Sequence, residues 1–174
     1  MTPMPSGDLG NAVDRLQDEQ WHILELFDSY TRQQQHSATA RACDELRLAT
    51  MIYTLLRVHG ELEHMLLASL ADAPGPQAVL ACTPQCRDEM LAALAHAEAS
   101  SPRDPGHVED MAALEHRVRA WFLAEQQELF ALARRSPLDL VALDRALAEL
   151  QELLLCVGKS ATRGTSGYVL AGRP

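Results

Sequence analysis

A histidine and a glutamate stand four residues apart in the stretch His59-Gly60-Glu61-Leu62-Glu63, and a further acid, Glu125, lies much later in the chain. Residues four apart share one face of an α-helix, so His59 and Glu63 can present an imidazole and a carboxylate in the same direction. Imidazole and carboxylate are ligands that iron and zinc accept in proteins. The spacing therefore indicates part of a metal site or of a buried polar network, and other helices must supply its partners.

The second stretch with chemical potential is Cys82-Thr83-Pro84-Gln85-Cys86. Thr83 followed by Pro84 predicts a helix start, with a hydroxyl cap and then proline at the first helical position. Cys86 would then lie in the first turn, where the helix dipole favours the thiolate. We therefore consider a thiol redox switch at Cys82 and Cys86. The alternative is that both are small, semi-buried residues at a helix start.

Composition narrows the class of protein. The chain has 174 residues, 47% of them apolar, and a formal charge of −9. A single domain with a substantial core fits this length. The acidic balance argues against nucleic acid or an anionic membrane as partner, because phosphate recognition needs clustered Lys and Arg. With no secretory signal pattern, no membrane-length apolar run and only four cysteines, we expect a cytoplasmic protein without a disulfide framework.

The elements that must position these residues are helices, because apolar residues recur at intervals of three and four and strand signals are scarce. Clusters of Pro, Gly and polar residues divide the chain, and the predicted helices span 12–35, 38–70, 83–100, 107–135 and 137–157. We predict an all-α, antiparallel up-down four-helix bundle with an extra C-terminal helix. The predicted bundle occupies 11–157, between a flexible arm at 1–10 and a Gly/Ser-rich basic tail at 158–174. The leucine-rich last helix either covers the bundle or forms a homodimer or protein-partner contact.

The order of several motifs resembles the bacterial hemerythrin-like (HHE cation-binding) family. They are Glu25-Leu-Phe-Asp-Ser-Tyr30, His59-x-x-x-Glu63, Asp104-Pro105, Leu114-x-x-x-Val118, Glu125-x-x-Glu128-Leu-Phe130 and Arg135-Ser-Pro-Leu-Asp-Leu140. They cover most of the chain. The resemblance implies a four-helix bundle in which histidines and carboxylates from all helices hold a two-iron centre that binds oxygen.

Several of the ligands that this resemblance implies are replaced. Glu19-Gln20 stands where the family has Asp-His, Glu89-Met90 where it has Glu-His, and Trp121 where the fourth helix has histidine. Of the usual ligands, His59, Glu63 and Glu125 remain. A bridged iron pair needs about five or six protein ligands, whereas indole offers no lone pair and a thioether is a soft ligand.

These replacements favour a non-enzymatic binding or regulatory module with a degenerate metal site. His59, Glu63 and Glu125 would form a satisfied polar network, with Gln20 as a bridge and Trp121 as a donor, because unpaired buried polar groups are costly. Gln20, Met90 and Trp121 would line the site. Two alternatives stay open: a single iron or zinc ion on His59, Glu63 and Glu125 that binds metal or oxygen, and a full two-metal centre through shifted helices. Having found no catalytic constellation, we do not expect an enzyme.

Overall fold

All the regular structure that is described in this chain is helical, which confirms the all-α prediction. A computed structural model describes residues 10–34, 38–72, 82–101 and 104–164, with the side chains of 38–43 and 157–164 excepted. Most of the predicted arm, and the predicted tail from 165 onward, therefore lie outside the described residues. No helix within the described ranges is long and apolar enough to cross a membrane.

The helices agree closely with the predicted segments. They are α1 (Ala12–Gln33), α2 (Ala38–Ala71), α3 (Thr83–Ala99), α4 (His107–Ala124), α5 (Phe130–Arg135) and α6 (Leu140–Gly164). The predicted helix at 107–135 is continuous, but a π-helical segment, Glu125–Leu129, separates α4 from α5. A π-helical turn inside an α-helix often marks a functional site.

Two helix starts differ from the predicted caps. The chain at Ser136 is extended, and the Asp139 carboxylate accepts hydrogen bonds from the Val141 and Ala142 amides, so α6 begins three residues later than predicted. α6 also extends to Gly164, beyond the predicted end at 157. At α3 the capping position belongs to Cys82 instead of Thr83.

Side-chain contacts join consecutive helices along the chain and also join α1 to the α4–α5 region. The pairs are Gln33 with Asp44 for α1 and α2, Arg57 with Glu98 for α2 and α3, His96 with Asp110 and Arg117 with Glu89 for α3 and α4, and Asp28 with Arg119 and Gln17 with Arg134 for α1 and the α4–α5 region. α6 packs against both α1 and α2.

The apolar core consists of two clusters, and polar residues mark the boundary between them on three helices. On α1, Gln20 lies between Leu16 of one cluster and Ile23 of the other. His59 lies at the boundary between the two clusters on α2, after Leu56 and before Leu62. Glu125 does so after Phe122 and before Leu129. The candidate residues are thus at one level of the molecule, enclosed by apolar layers on both sides.

Helix α6 is attached to α1 by a polar contact as well as by leucines. Arg15 Nε lies 2.6 Å from Asp144 Oδ1, and both side chains are less than one-third exposed. Because Arg15 also contacts Gln151, we expect Arg15→Ala to lower the free energy of unfolding by about 1 kcal/mol. The rate of amide hydrogen exchange in α6 should increase at the same time. Urea denaturation and hydrogen exchange would measure both, and an equal effect of Arg145→Ala, a change at an exposed arginine of α6, would contradict this role.

Candidate functional site

A fully buried histidine lies between two carboxylates at the centre of the site. His59 has no exposed surface, its Nδ1 is 3.2 Å from Glu19 Oε2, and its Nε2 is 3.1 Å from Glu125 Oε2. Only the doubly protonated imidazolium can donate a hydrogen bond from each ring nitrogen. Both contacts therefore favour a positively charged His59, whose lone pairs are not available to a metal.

Glu125 accepts a second hydrogen bond from the first helix. Gln20 Nε2 donates to Glu125 Oε2 over 2.7 Å, and Gln20 Oε1 accepts from Gln126 over 2.8 Å. Glu125 thus binds the nitrogen of the Gln20 side-chain amide and Gln126 binds its oxygen, which fixes the orientation of that amide. Glu125 Oε1 is also buried, and none of the described residues forms a hydrogen bond with it.

Glu63 lies one turn after His59 on the same buried face of α2. The Trp121 indole N–H donates to Glu63 Oε1 at 3.5 Å, and Arg87 Nε approaches Glu63 Oε2 to 3.4 Å without good hydrogen-bond geometry. Trp121 and Phe122 pack edge-on against the imidazole of His59, with ring centroids 5.2 and 5.1 Å away. The aromatic rings therefore fill the space beside the histidine.

The charges of these groups are interdependent. Burial on its own lowers the pKa of His59, but the charge and hydrogen bond of Glu125, with those of Glu19, outweigh it and raise that pKa to about 10. Burial and the charge of Glu125 raise the pKa of Glu63 to about 7, against the opposing effects of Arg87 and His59. These effects favour a charged His59 at neutral pH, and Glu63 keeps its proton to a higher pH than an ordinary glutamate does.

The donors fit a two-iron centre poorly. One imidazole is present, both of its nitrogens contact carboxylates, and the indole of Trp121 packs against its ring. Among the described residues, no group of three or more His, Cys, Asp or Glu side chains is arranged to hold a metal ion. Two buried carboxylate oxygens, Glu63 Oε2 beside Arg87 and Glu125 Oε1, have no hydrogen-bond partner among the described residues, and carboxylate oxygens are ligands that a cation accepts.

The network reaches the surface at Glu19. Its other carboxylate oxygen accepts a hydrogen bond from Gln151 of α6, and its side chain is 12% exposed. Glu19 also lines a cleft of about 470 Å³, whose lining includes His22 and Asp144. A molecule bound in this cleft would contact the Glu19 carboxylate, which is hydrogen-bonded to the buried imidazole of His59.

The predicted thiols lie at the start of α3, beside a different carboxylate. Glu128 accepts hydrogen bonds from the amides of Cys82 and Thr83 at 3.0 Å and from the Thr83 hydroxyl at 3.1 Å. These hydrogen bonds lower the pKa of Glu128, and the bond from the Thr83 amide has the largest effect. The Glu128 carboxylate in turn raises the pKa of the Cys82 thiol. Cys82 and Cys86 are both free thiols.

The structure brings most of the predicted residues together. His59, Glu63, Glu125, Gln20 and Trp121 meet at one level, while Met90 is fully buried in the apolar cluster that contains Trp121. Sequence reasoning missed four participants: Glu19, Arg87, Gln126 and Glu128. The sequence presents Glu19 only as a replaced residue, and Arg87 lies at a position where a solvated side chain is the usual outcome. His107 is the buried first residue of α4 and contacts Ser100.

Comparison with known proteins gives no further assignment. No family model matches the chain, and neither the curated proteins nor the solved structures contain a match.

Proposed function

We propose that this chain is a hemerythrin-like, antiparallel four-helix bundle with an extra C-terminal helix, and that it serves as a non-enzymatic binding or regulatory module. A buried ion-pair network occupies the place at which that family holds its metal centre. One observation carries this proposal: each ring nitrogen of His59 lies 3.1–3.2 Å from a carboxylate oxygen.

The surroundings of His59 support a structural role for the charge. Gln20 and Trp121 donate to the carboxylates instead of offering ligand atoms, and Arg87 adds a second cation near Glu63. A network of this kind specifies one arrangement of the helices, because any shift leaves buried charges without partners. Through Glu19 it is also open to the cleft, which gives a bound molecule a route to the bundle interior.

The second candidate function is the binding of a single divalent iron or zinc ion. The observation that favours it is that one buried oxygen on each of Glu63 and Glu125 has no hydrogen-bond partner in the described part of the chain. With His59 these residues would provide three ligands, a number that zinc accepts together with water. Such an ion would require His59 to lose a proton and give up its contact with Glu125.

Metal content separates the two candidates. We expect protein purified without chelator or affinity tag to contain far less than one equivalent of iron or zinc, because a protonated His59 and a metal ion exclude each other. Elemental analysis by mass spectrometry gives the content. One equivalent of metal that is lost in Glu63→Gln and kept in Glu61→Gln, an exposed neighbour on α2, would establish the metal site and refute the network as the resting state.

A further inference from the structure

Two thiols lie one helical turn apart at the start of α3. The Cys86 amide donates to the Cys82 carbonyl over 2.9 Å, so the first turn includes both residues. Cys82 is exposed, whereas Cys86 is half-buried and packs against the apolar cluster that contains Trp121. The Cys82 thiol is therefore accessible to small oxidants, and Cys86 follows it one helical turn later.

This turn is held by a carboxylate from another part of the chain. Glu128 binds both the Cys82 and the Thr83 amides, in place of a cap from α3 itself, and it is hydrogen-bonded to the Cys82 thiol. Glu128 belongs to the π-helical segment that begins with Glu125. Any change at Cys82 thus acts on the segment that carries a central carboxylate of the network.

A second connection leads from the same turn to the network. Arg87, the residue after Cys86, reaches Glu63 at 3.4 Å, and Glu63 accepts the indole N–H of Trp121. The N-terminal part of α3 thus contacts two carboxylates, Glu128 of the π-helical segment and Glu63 of α2. The two thiols lie in the same part of α3, between these two contacts.

We propose that Cys82 and Cys86 form a dithiol site that a hydroperoxide oxidises to an intramolecular disulfide, and that this reaction releases Glu128 from the start of α3. The inference does not rest on the proposed function of the network. It adds a modification site. Oxidation at this site would act on the buried network independently of a molecule bound in the cleft.

The chemistry balances in two steps. The Cys82 thiolate attacks the terminal oxygen of the hydroperoxide, the O–O bond breaks, and an alcohol leaves while Cys82 becomes a sulfenic acid. The Cys86 sulfur then attacks the sulfenic sulfur, and the hydroxyl leaves as water with the thiol proton. Overall, two thiols lose two electrons and two protons, and the peroxide bond accepts them.

The geometry explains why the bond would alter α3. Residues four apart on a helix have Cβ atoms about 5–6 Å apart, whereas a disulfide needs about 3.5–4.5 Å. The first turn must therefore tighten by about 1–2 Å, taking the amides of Cys82 and Thr83 away from Glu128. In the reduced protein, Glu128 opposes oxidation because its hydrogen bond and charge raise the pKa of the Cys82 thiol.

The site can be tested in a full chain that carries Cys43→Ser and Cys156→Ser. After treatment of the folded protein with hydrogen peroxide, we expect peptide mapping to find a Cys82–Cys86 disulfide within one chain. With Cys86→Ser added, Cys82 should stop at a sulfenic acid, which dimedone traps. Recovery of both thiols unchanged under conditions that oxidise free cysteine, or disulfides only between chains, would overturn the proposal.

The role of Glu128 has its own test. Glu128→Gln should increase the rate at which iodoacetamide alkylates Cys82 by about 3- to 10-fold at neutral pH, because it removes the charge that disfavours the thiolate. Asp88→Asn is the matched control, since it removes a negative charge from the exposed side of α3. Equal rates in the two variants would show that Glu128 does not restrain the thiol.

The link to the network is measured at Trp121. The chain has two tryptophans, and the other, Trp21, is 70% exposed, so Trp21→Phe leaves a single buried reporter beside Glu63. We expect oxidation to shift the emission of Trp121 and dithiothreitol to restore it. A disulfide that forms with no change in emission would contradict the coupling between α3 and the network.

Discussion

Replacement of His59 by alanine is expected to destabilise the protein by about 3–5 kcal/mol, the cost of leaving a buried charge without its partner. Glu125 is fully buried, and without the imidazolium it keeps only the hydrogen bond from Gln20. Glu19 loses the same partner but is partly exposed and keeps Gln151. The loss should therefore arise mainly at Glu125. Urea denaturation of the variant and the parent protein gives the difference.

Part of that loss would come from the cavity left between Trp121 and Phe122, so the charge effect needs its own measurement. The double variant His59→Ala/Glu125→Gln keeps the cavity but removes the unpaired charge. We expect it to recover about 1–3 kcal/mol relative to His59→Ala alone, because a neutral amide costs less to bury than a carboxylate. His64→Ala, an exposed change on the same helix, serves as the matched control. A double variant no more stable than His59→Ala would mean that packing, and not charge, is what His59 contributes.

The sequence pattern was sufficient for the helices and for the residues that face inward. The spacing of His59 and Glu63 predicts one shared face on α2, and both residues are fully buried. The same reasoning placed Trp121 and Glu125 inside. These predictions succeed because helical geometry alone decides which residues share a face.

The missed features depend on contacts between distant parts of the chain. Nothing local indicates that Glu128 would cap α3, since its partners, Cys82 and Thr83, belong to another helix. The π-helical segment Glu125–Leu129 is equally invisible, because its composition suits an ordinary α-helix. Arg87 lies at a position where a solvated side chain is the usual outcome, and its long stem allows it to reach the buried Glu63 instead.

The arrangement of carboxylates suggests how inputs at the surface reach the interior. Glu19 connects the cleft to His59, and Glu128 connects the start of α3 to the segment that carries Glu125. His59 contacts both Glu19 and Glu125, so a change at either input alters the charges around the same imidazole. The regulatory role proposed above rests on this common partner.

The stability of the protein should fall as the pH rises from about 5 to 10, in two overlapping stages. The folded-state pKa of Glu63, about 7, exceeds its ordinary value of 4.5, so the folded protein retains a proton that the unfolded chain has lost. This contribution is complete below pH 4.5 and is lost as the pH rises through 7. The pKa of His59 is raised from 6.5 to about 10, so its contribution is complete below pH 6.5 and is lost as the pH rises through 10.

Each group can lower the free energy of unfolding by up to about 1.4 kcal/mol per pH unit within its own range. Urea denaturation at intervals between pH 5 and 10 measures the slope, and Glu63→Gln should flatten the part below pH 7 while leaving the part above pH 8 unchanged. Because the lowered pKa of Glu128 acts in the opposite direction only at more acidic pH, it does not obscure this range. A free energy of unfolding that rises with pH between 5 and 9 would show that His59 is not held as an imidazolium, and would return the site to the metal-binding alternative.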